Sequence, residues 1–338
     1  MIKQPSRRAV IGGGAAAFAS IAILRSPAGA AQFEYKYAHN LPIGSPLHVR
    51  TTQLWAAVKD ETGGRLAVAV YPNNILGGDS AMLTQLRSGA IQFYTMAGPL
   101  ISSIVPVAAI EFVPFVFPTR EKAWAALDGA LGANTREQID AMGLHAFDKN
   151  FALGFYQITN SVRPIRSVDD MAGLKIRVGP AKLALDTFRS LGAAPTPLNF
   201  SELYSALQTH VVDGQYNPYA IIEVSRFFEV QKYLTEVNLC WASYYMMANG
   251  DAWKALPPDI QAIVTKNVSK YALLQRSDTE LLSAASADKL TRQGMTRNVA
   301  DPKPFRAKLV AAGFYERWKA EYGEKAWSLL EMYSGKLT

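Results

Sequence analysis

A single arginine interrupts the apolar run Leu174-Lys175-Ile176-Arg177-Val178, a stretch that reads as a buried strand. A guanidinium carries a charge and five donors, so burying it requires an anion or several acceptors. Two arrangements meet that need: an internal carboxylate such as Asp169 or Asp170, or an acidic molecule arriving from outside. Other reactive chemistry is sparse. His39, His48, His145 and His210 are scattered, without metal-ligand spacing to one another, to the cysteine or to a carboxylate cluster. His39 closes a predicted first strand and reads as a solvated polar residue at a strand end. The lone Cys240, in "NLCWASYYMM", has no intramolecular disulfide partner and reads as packing. The glycines of "NILGGDS" fit neither a dinucleotide fingerprint nor a phosphate loop, and there is no Gly-x-Ser-x-Gly elbow. The expectation is therefore no cofactor, no metal and no enzyme.

The elements around Arg177 follow a repeated pattern. "FEYKYAHNLP", "RLAVAVYP" and "IQFYTMAG" read as strands, separated by a helix over 46–61 and another in "SAMLTQLRSGA". Strand, helix, strand, helix, strand predicts a parallel α/β sheet. Residues 120–142 read as helix and "HAFDKNFALGFYQITN" as strand-like. After Arg177, helices near 182–191 and 201–210 alternate with "APTPLN" and "VVDGQYNP", so a second α/β unit begins near residue 155. A long periodic stretch after Pro257 and Pro258 makes the last third mostly helical. At 338 residues and 49% hydrophobic, the chain has enough apolar material for two cores.

The beginning reads as an export leader. Lys3, Arg7 and Arg8 precede an apolar Gly- and Ala-rich segment and then "SPAGAAQF", which offers small residues for cleavage near Ala30 or Ala31. The Arg7-Arg8 pair points to the twin-arginine route. The apolar segment is shorter than the roughly 20 residues of a spanning helix, so no stable membrane insertion is expected after cleavage. The net charge is +7, of which Lys3, Arg7, Arg8 and Arg25 supply four, leaving +3 on the mature chain. That balance, with no basic run interleaved with aromatics, argues against a nucleic-acid partner.

"DDMAGLKIRV" followed by "LGAAPTPLNFSELYSALQTHVVDGQYNP" resembles the substrate-binding proteins of tripartite ATP-independent periplasmic (TRAP) transporters. "YAHNLPIGSPLH", "YPNNILGGDSAMLTQLRSGAIQF", "EFVPFVF" and "FFEVQKYLT" extend the likeness, in order, along essentially the whole mature chain. The resemblance implies a two-domain periplasmic binding protein fold of type II-like form, with a ligand cleft between domains, crossing hinge strands and a long C-terminal helical region. The expected division is 1–31 as leader, 32–154 plus about 243–282 as the first domain, and about 155–242 plus 283–338 as the second. It implies a periplasmic location and a partnership with the membrane subunits of a TRAP transporter.

The resemblance also assigns positions. Arg177 is the residue that receives a substrate carboxylate, which a guanidinium can grip in a two-bond fork. Asn217 adds a second polar contact to that carboxylate, and Phe200 packs beside the guanidinium. Asn40 and the stretch Met96, Ala97, Gly98 correspond to pocket positions on the first domain, although Met96 reads equally well as core. Many relatives have glutamate where this chain has Tyr216, and often a second arginine where it has Tyr156 or Gln157. These departures remove charged positions and favour a monocarboxylate over a dicarboxylate or an amino sugar acid. With Tyr244 and other rings near the same strands, an aromatic or apolar acid is the leading expectation; a sugar acid, keto acid or dicarboxylate, or a role in sensing, is the alternative.

Overall fold

The computed structural model describes residues 31–337, so the leader reading lies, apart from Ala31, outside the described residues. The chain opens with β1 (Phe33–His39), α1 (Pro46–Glu61), β2 (Leu66–Tyr71), α2 (Asp79–Ser88), β3 (Phe93–Ala97) and one helical turn, α3 (Gly98–Ile101). A 3-10 segment over Pro106–Phe112 leads to α4 (Arg120–Asp128), α5 (Ala130–Asp140), β4 (Leu144–Ala146) and β5 (Phe151–Phe155). The chain then crosses into β6 (Gln157–Asn160), β7 (Lys175–Val178), α6 (Lys182–Ser190), β8 (Ala194–Pro197), α7 (Phe200–Gln208), β9 (Gly214–Asn217), α8 (Tyr219–Val224) and β10 (Tyr233–Glu236). It returns through β11 (Trp241–Asn249) and α9 (Gly250–Ala255). It ends with α10 (Pro258–Arg292), β12 (Thr296–Val299), α11 (Pro302–Ala311) and α12 (Phe314–Ser334).

Two six-stranded sheets result, one ordered β2-β1-β3-β11-β4 with β5 also on β11, the other ordered β12-β10-β6-β9-β7-β8. β1 runs parallel to β2 and to β3, as the alternation of strands and helices predicts, while β11 enters antiparallel to β3, β4 and β5. All nine residues of β11 are buried, which its nearly unbroken apolar sequence requires. The stretch read as one strand-like region over 145–160 is three strands, of which β4 and β5 join the first sheet and β6 the second. The helix read over 120–142 breaks at Gly129, which caps both α4 and α5.

The sheets and their helices form two lobes joined by crossing strands. At the crossing, Tyr156 N donates to Cys240 O at 2.9 Å and Leu239 N donates to Tyr156 O at 3.0 Å, so the two passages brace each other. α10, 35 residues long, runs along both lobes. On the first, Asp278 pairs with Arg50 at 2.5 Å, and Gln275 both accepts from Ala152 N at 2.6 Å and donates to Ala152 O at 3.0 Å. On the second, Ser286 Oγ donates to Glu223 at 2.5 Å and Lys289 pairs with the same carboxylate. The expected boundaries at 154/155 and 242/243 fall within β5 and β11, and the one at 282/283 within α10.

Glu111, in the 3-10 segment, is fully buried and accepts from Ser243 N at 2.8 Å and from Ser243 Oγ at 2.8 Å. Burial pushes its pKa up to about 8, so it holds its proton at neutral pH. A carboxyl whose native pKa lies above its unfolded value makes the native state bind the extra proton; stability therefore falls as pH rises from the ordinary glutamate range toward 8. Glu111→Gln keeps an acceptor for Ser243 and removes the titration. Its melting temperature should match the wild type near pH 4.5 and exceed it by several degrees at pH 8, as thermal unfolding across that range will measure.

Candidate functional site

Arg177 occupies the third position of β7 and is 5% exposed. Its Nε and Nη2 both donate to Leu198 O, at 3.0 and 2.7 Å, and its Cζ lies 5.8 Å from the centre of the Phe200 ring. One carbonyl takes two donors and leaves the charge without an anion. Asp170 does not supply it: its carboxylate accepts from Arg166 N and Ser167 N, at 2.8 and 2.9 Å, and caps the turn before β7. The acid whose charge acts most on Arg177 is Asp79 of the opposite lobe. Burial works against the charged form of both groups, lowering the arginine's pKa and raising the aspartate's, while each pulls the other back toward ionisation.

Asp79 lies in the first turn of α2 and is fully buried. Its Oδ1 accepts from Asn40 Nδ2 at 2.9 Å and from Tyr94 Oη at 3.4 Å; its Oδ2 accepts from Phe200 N at 3.3 Å, the first residue of α7. The last of these bonds joins the lobes. A helix N-terminus leaves N–H groups without intrahelical acceptors, and a carboxylate is a favoured partner there. Asn40 Oδ1 accepts in turn from Tyr244 Oη at 3.2 Å. Behind Asn40, His39 is buried rather than solvated. Its Nδ1 accepts from Leu41 N at 3.2 Å, so its Nε2 carries the proton directed at His48 Nδ1, 3.1 Å away, and burial pushes its pKa down to about 3.

These groups enclose a cavity of about 60 Å³ between the lobes. Arg177, Phe200, Tyr156, Tyr216 and Asn217 line it from the second lobe, and Asn40, Ala97 and Tyr244 from the first. Ala97 and Tyr244 are register partners on β3 and β11, which explains why both reach it. Three expected positions do not line it. Met96 is paired with Tyr245 on the opposite face of the same strands and packs in the core. Gly98 is pressed against the backbone of the 3-10 segment, where an added Cβ would lie 2.3 Å from Ala108 O. Gln157 faces away from its neighbour Tyr156: its Oε1 accepts from Val237 N and Asn238 N at 2.9 and 3.1 Å, and its Nε2 donates to Asn238 Oδ1 at 2.6 Å. It fastens the crossing strands instead.

Sequence reasoning missed Asp79, Phe112, Leu153 and Leu100, all of which line the cavity. The signal for Asp79 was an acid directly after two glycines at a helix start, which reads equally well as an exposed first-turn residue. Leu100 meets the second lobe at Gly179, where an added Cβ would lie 3.1 Å from its Cδ2.

The family model for bacterial extracellular solute-binding protein, family 7, matches residues 37–314. The chain belongs to that family. Its members are the binding proteins of TRAP transporters, and binding rather than catalysis is what the family does. A solute-binding protein of Roseobacter denitrificans is 31% identical over 297 residues, 87% of this chain and 90% of that protein. An uncharacterized protein of Sinorhizobium fredii is 34% identical over 274 residues, 78% of this chain and 50% of the relative's length. A crystal structure of a TRAP periplasmic solute-binding protein from a Polaromonas species, bound to D-erythronate, superposes with a TM-score of 0.85 at 28% identity, covering 90% of this chain and 100% of that one. The fold of this family member is therefore the expected two-sheet binding-protein fold with a long C-terminal helical region. Among the described residues no helix is long and apolar enough to cross a membrane.

The lobes come close at Gly78, where an added Cβ would sit 3.0 Å from Cγ of Asn199. Gly78 caps α2 at φ −66°, a conformation open to any residue, and asparagine is at least as good an N-cap as glycine. Gly78→Asn should leave the melting temperature of the free protein unchanged and hold the lobes apart. Small-angle scattering in the presence of ligand should give a larger radius of gyration than for the wild type.

Proposed function

We propose that the protein captures a compact monocarboxylic acid in the cleft, through a fork between the ligand carboxylate and Arg177, and delivers it in the periplasm to the membrane component of a TRAP transporter. The observation that carries this reading is the charge inventory of the cavity. Among the described residues Arg177 is the one basic residue in its lining and has no salt-bridge partner on its own lobe, and Asp79 faces it from the other. One cation matches one carboxylate. A second carboxylate on the ligand would meet Asp79 in a desolvated site, where like charges repel strongly.

Size refines the class. An apolar cavity of about 150 Å³ accommodates a benzene ring, whereas the closed cleft encloses about 60 Å³. That favours a short acid over the aromatic acid that the tyrosines alone would predict. Tyr156, Tyr216 and Tyr244 then act less as a stacking box than as a rigid wall carrying hydroxyls. With Asn40, Asn217 and Asp79 they supply hydrogen-bond partners for a hydroxylated chain. The D-erythronate held by the Polaromonas relative is a hydroxylated monocarboxylate.

Binding and closure are coupled in this reading. The carboxylate docks on Arg177 of the open protein, the first lobe folds over, and Asp79 reaches the N-terminus of α7 as water leaves. The export leader read in the sequence accords with this location.

Calorimetric titration of the mature protein with short hydroxy acids, unsubstituted acids and dicarboxylates tests the reading. Short monocarboxylates should bind and dicarboxylates should bind much more weakly or not at all. Arg177→Ala should lose at least about 100-fold in affinity, and Arg177→Lys should not restore it, because an ammonium cannot reproduce the fork. Asp79→Asn should narrow the gap between mono- and dicarboxylates. Undiminished binding by Arg177→Ala, or dicarboxylates preferred by the wild type, would overturn the proposal.

A further inference from the structure

A second cavity, of about 170 Å³, adjoins the crossing strands. Successive residues of the same segments line the two spaces: Tyr156 and Asn217 belong to the ligand cavity, their neighbours Phe155, Gln157 and Pro218 to the second. The partition is thus one layer of backbone thick. Trp124, Trp241, Phe155 and Tyr219 make the second cavity's walls aromatic. Its arginines are already engaged. Arg276 lies 3.6 Å from the Trp124 ring centre and pairs with Asp128 at 2.8 Å, and Arg120 pairs with Glu280 at 2.8 Å. Among the described residues the space therefore offers apolar room and no free cation.

Among the described residues Leu153, on β5, is the one that lines both cavities. The backbone beside it is held independently of its side chain, because Gln275 of α10 bonds both N and O of Ala152. Shortening Leu153 thus removes side-chain volume from a strand that stays in place, the condition under which a cavity persists instead of collapsing.

We propose that Leu153 is a specificity-determining residue that sets the depth of the cleft. Its side chain closes the ligand cavity off from the aromatic one, and truncating it joins the two into a space able to take an acid with an extended apolar tail. This rests on the reading that Arg177 anchors a carboxylate, since the tail is then the part of the ligand directed away from it.

The test is calorimetric titration of wild type and Leu153→Ala with unbranched monocarboxylates from propionate to octanoate, and with phenylpropionate. Wild-type affinity should stop rising, or fall, once the chain meets Leu153. In L153A the affinity should keep rising by about fourfold for each further methylene buried, and phenylpropionate should bind. The double variant Leu153→Ala with Ser283→Phe, which refills the second cavity from α10, should restore the wild-type profile. Should L153A fail to fold, Leu153→Val takes its place with a smaller extension. A short-acid binder whose length profile is the same in wild type and variant overturns this inference alone. Failure of the wild type to bind any acid overturns the carboxylate reading and this inference with it.

Discussion

A guanidinium held out of water with an incomplete set of partners is the constraint around which the lobes are arranged. Arg177 cannot be left in the interior without an anion nearby, yet its own lobe gives it only the Leu198 carbonyl and the face of Phe200. The compensating charge comes from across the seam. Asp79 is itself buried at the cost of a raised pKa, and three donors, from Asn40, Tyr94 and Phe200, keep it in position. The charge that a ligand would satisfy and the contact that closes the lobes thus meet at one point. Separating the lobes would remove the Phe200 bond and bring water to both ions.

The hydrogen-bonded crossing of β5–β6 and β10–β11 performs two tasks at once. It fixes the lobes' relative path through Tyr156, Leu239 and Cys240, and its alternate side chains form the floor of the ligand cavity and the wall of the aromatic one. Gln157 belongs to this mechanical role. Its amide satisfies the strained turn at Asn238, where φ is 47°, and so replaces with hydrogen bonds what a backbone ladder cannot supply at a crossing.

The parts of this arrangement that were legible in the sequence were those written as local periodicity or as an anomaly within it. The parallel β2-β1-β3 unit was readable from alternating strands and helices, and Arg177 stood out because charge is rare inside an apolar strand. Side-chain direction at strand ends was not readable to one residue. Met96 and Ala97 are adjacent in sequence and face opposite ways, and only pairing with the facing strand fixes which way; Gln157 is turned away by its bonds to Val237 and Asn238. Asp79 was invisible for a different reason. Its burial depends on Asn40, Tyr94 and Phe200, separated from it by 39, 15 and 121 residues, and no local pattern announces such a convergence. His39 looked solvated for the same reason, since its partner is one helical turn into α1.

The long helix α10 gives the molecule a mechanical property beyond its role in covering both lobes. At 1.5 Å per residue it is about 50 Å long, fastened to the first lobe up to Glu280 and to the second from Ser286. Any rotation of one lobe against the other must be absorbed in the roughly one and a half turns between those anchors, where Ser283, Ala284 and Ala285 offer little side-chain bulk to resist bending. The helix behaves as a leaf spring clamped at both ends. In the closure proposed above, any difference in curvature between the open and closed forms would be elastic energy that ligand contacts outweigh on closing and that is returned on release, so the length of that unclamped span would set part of the balance without touching the cleft.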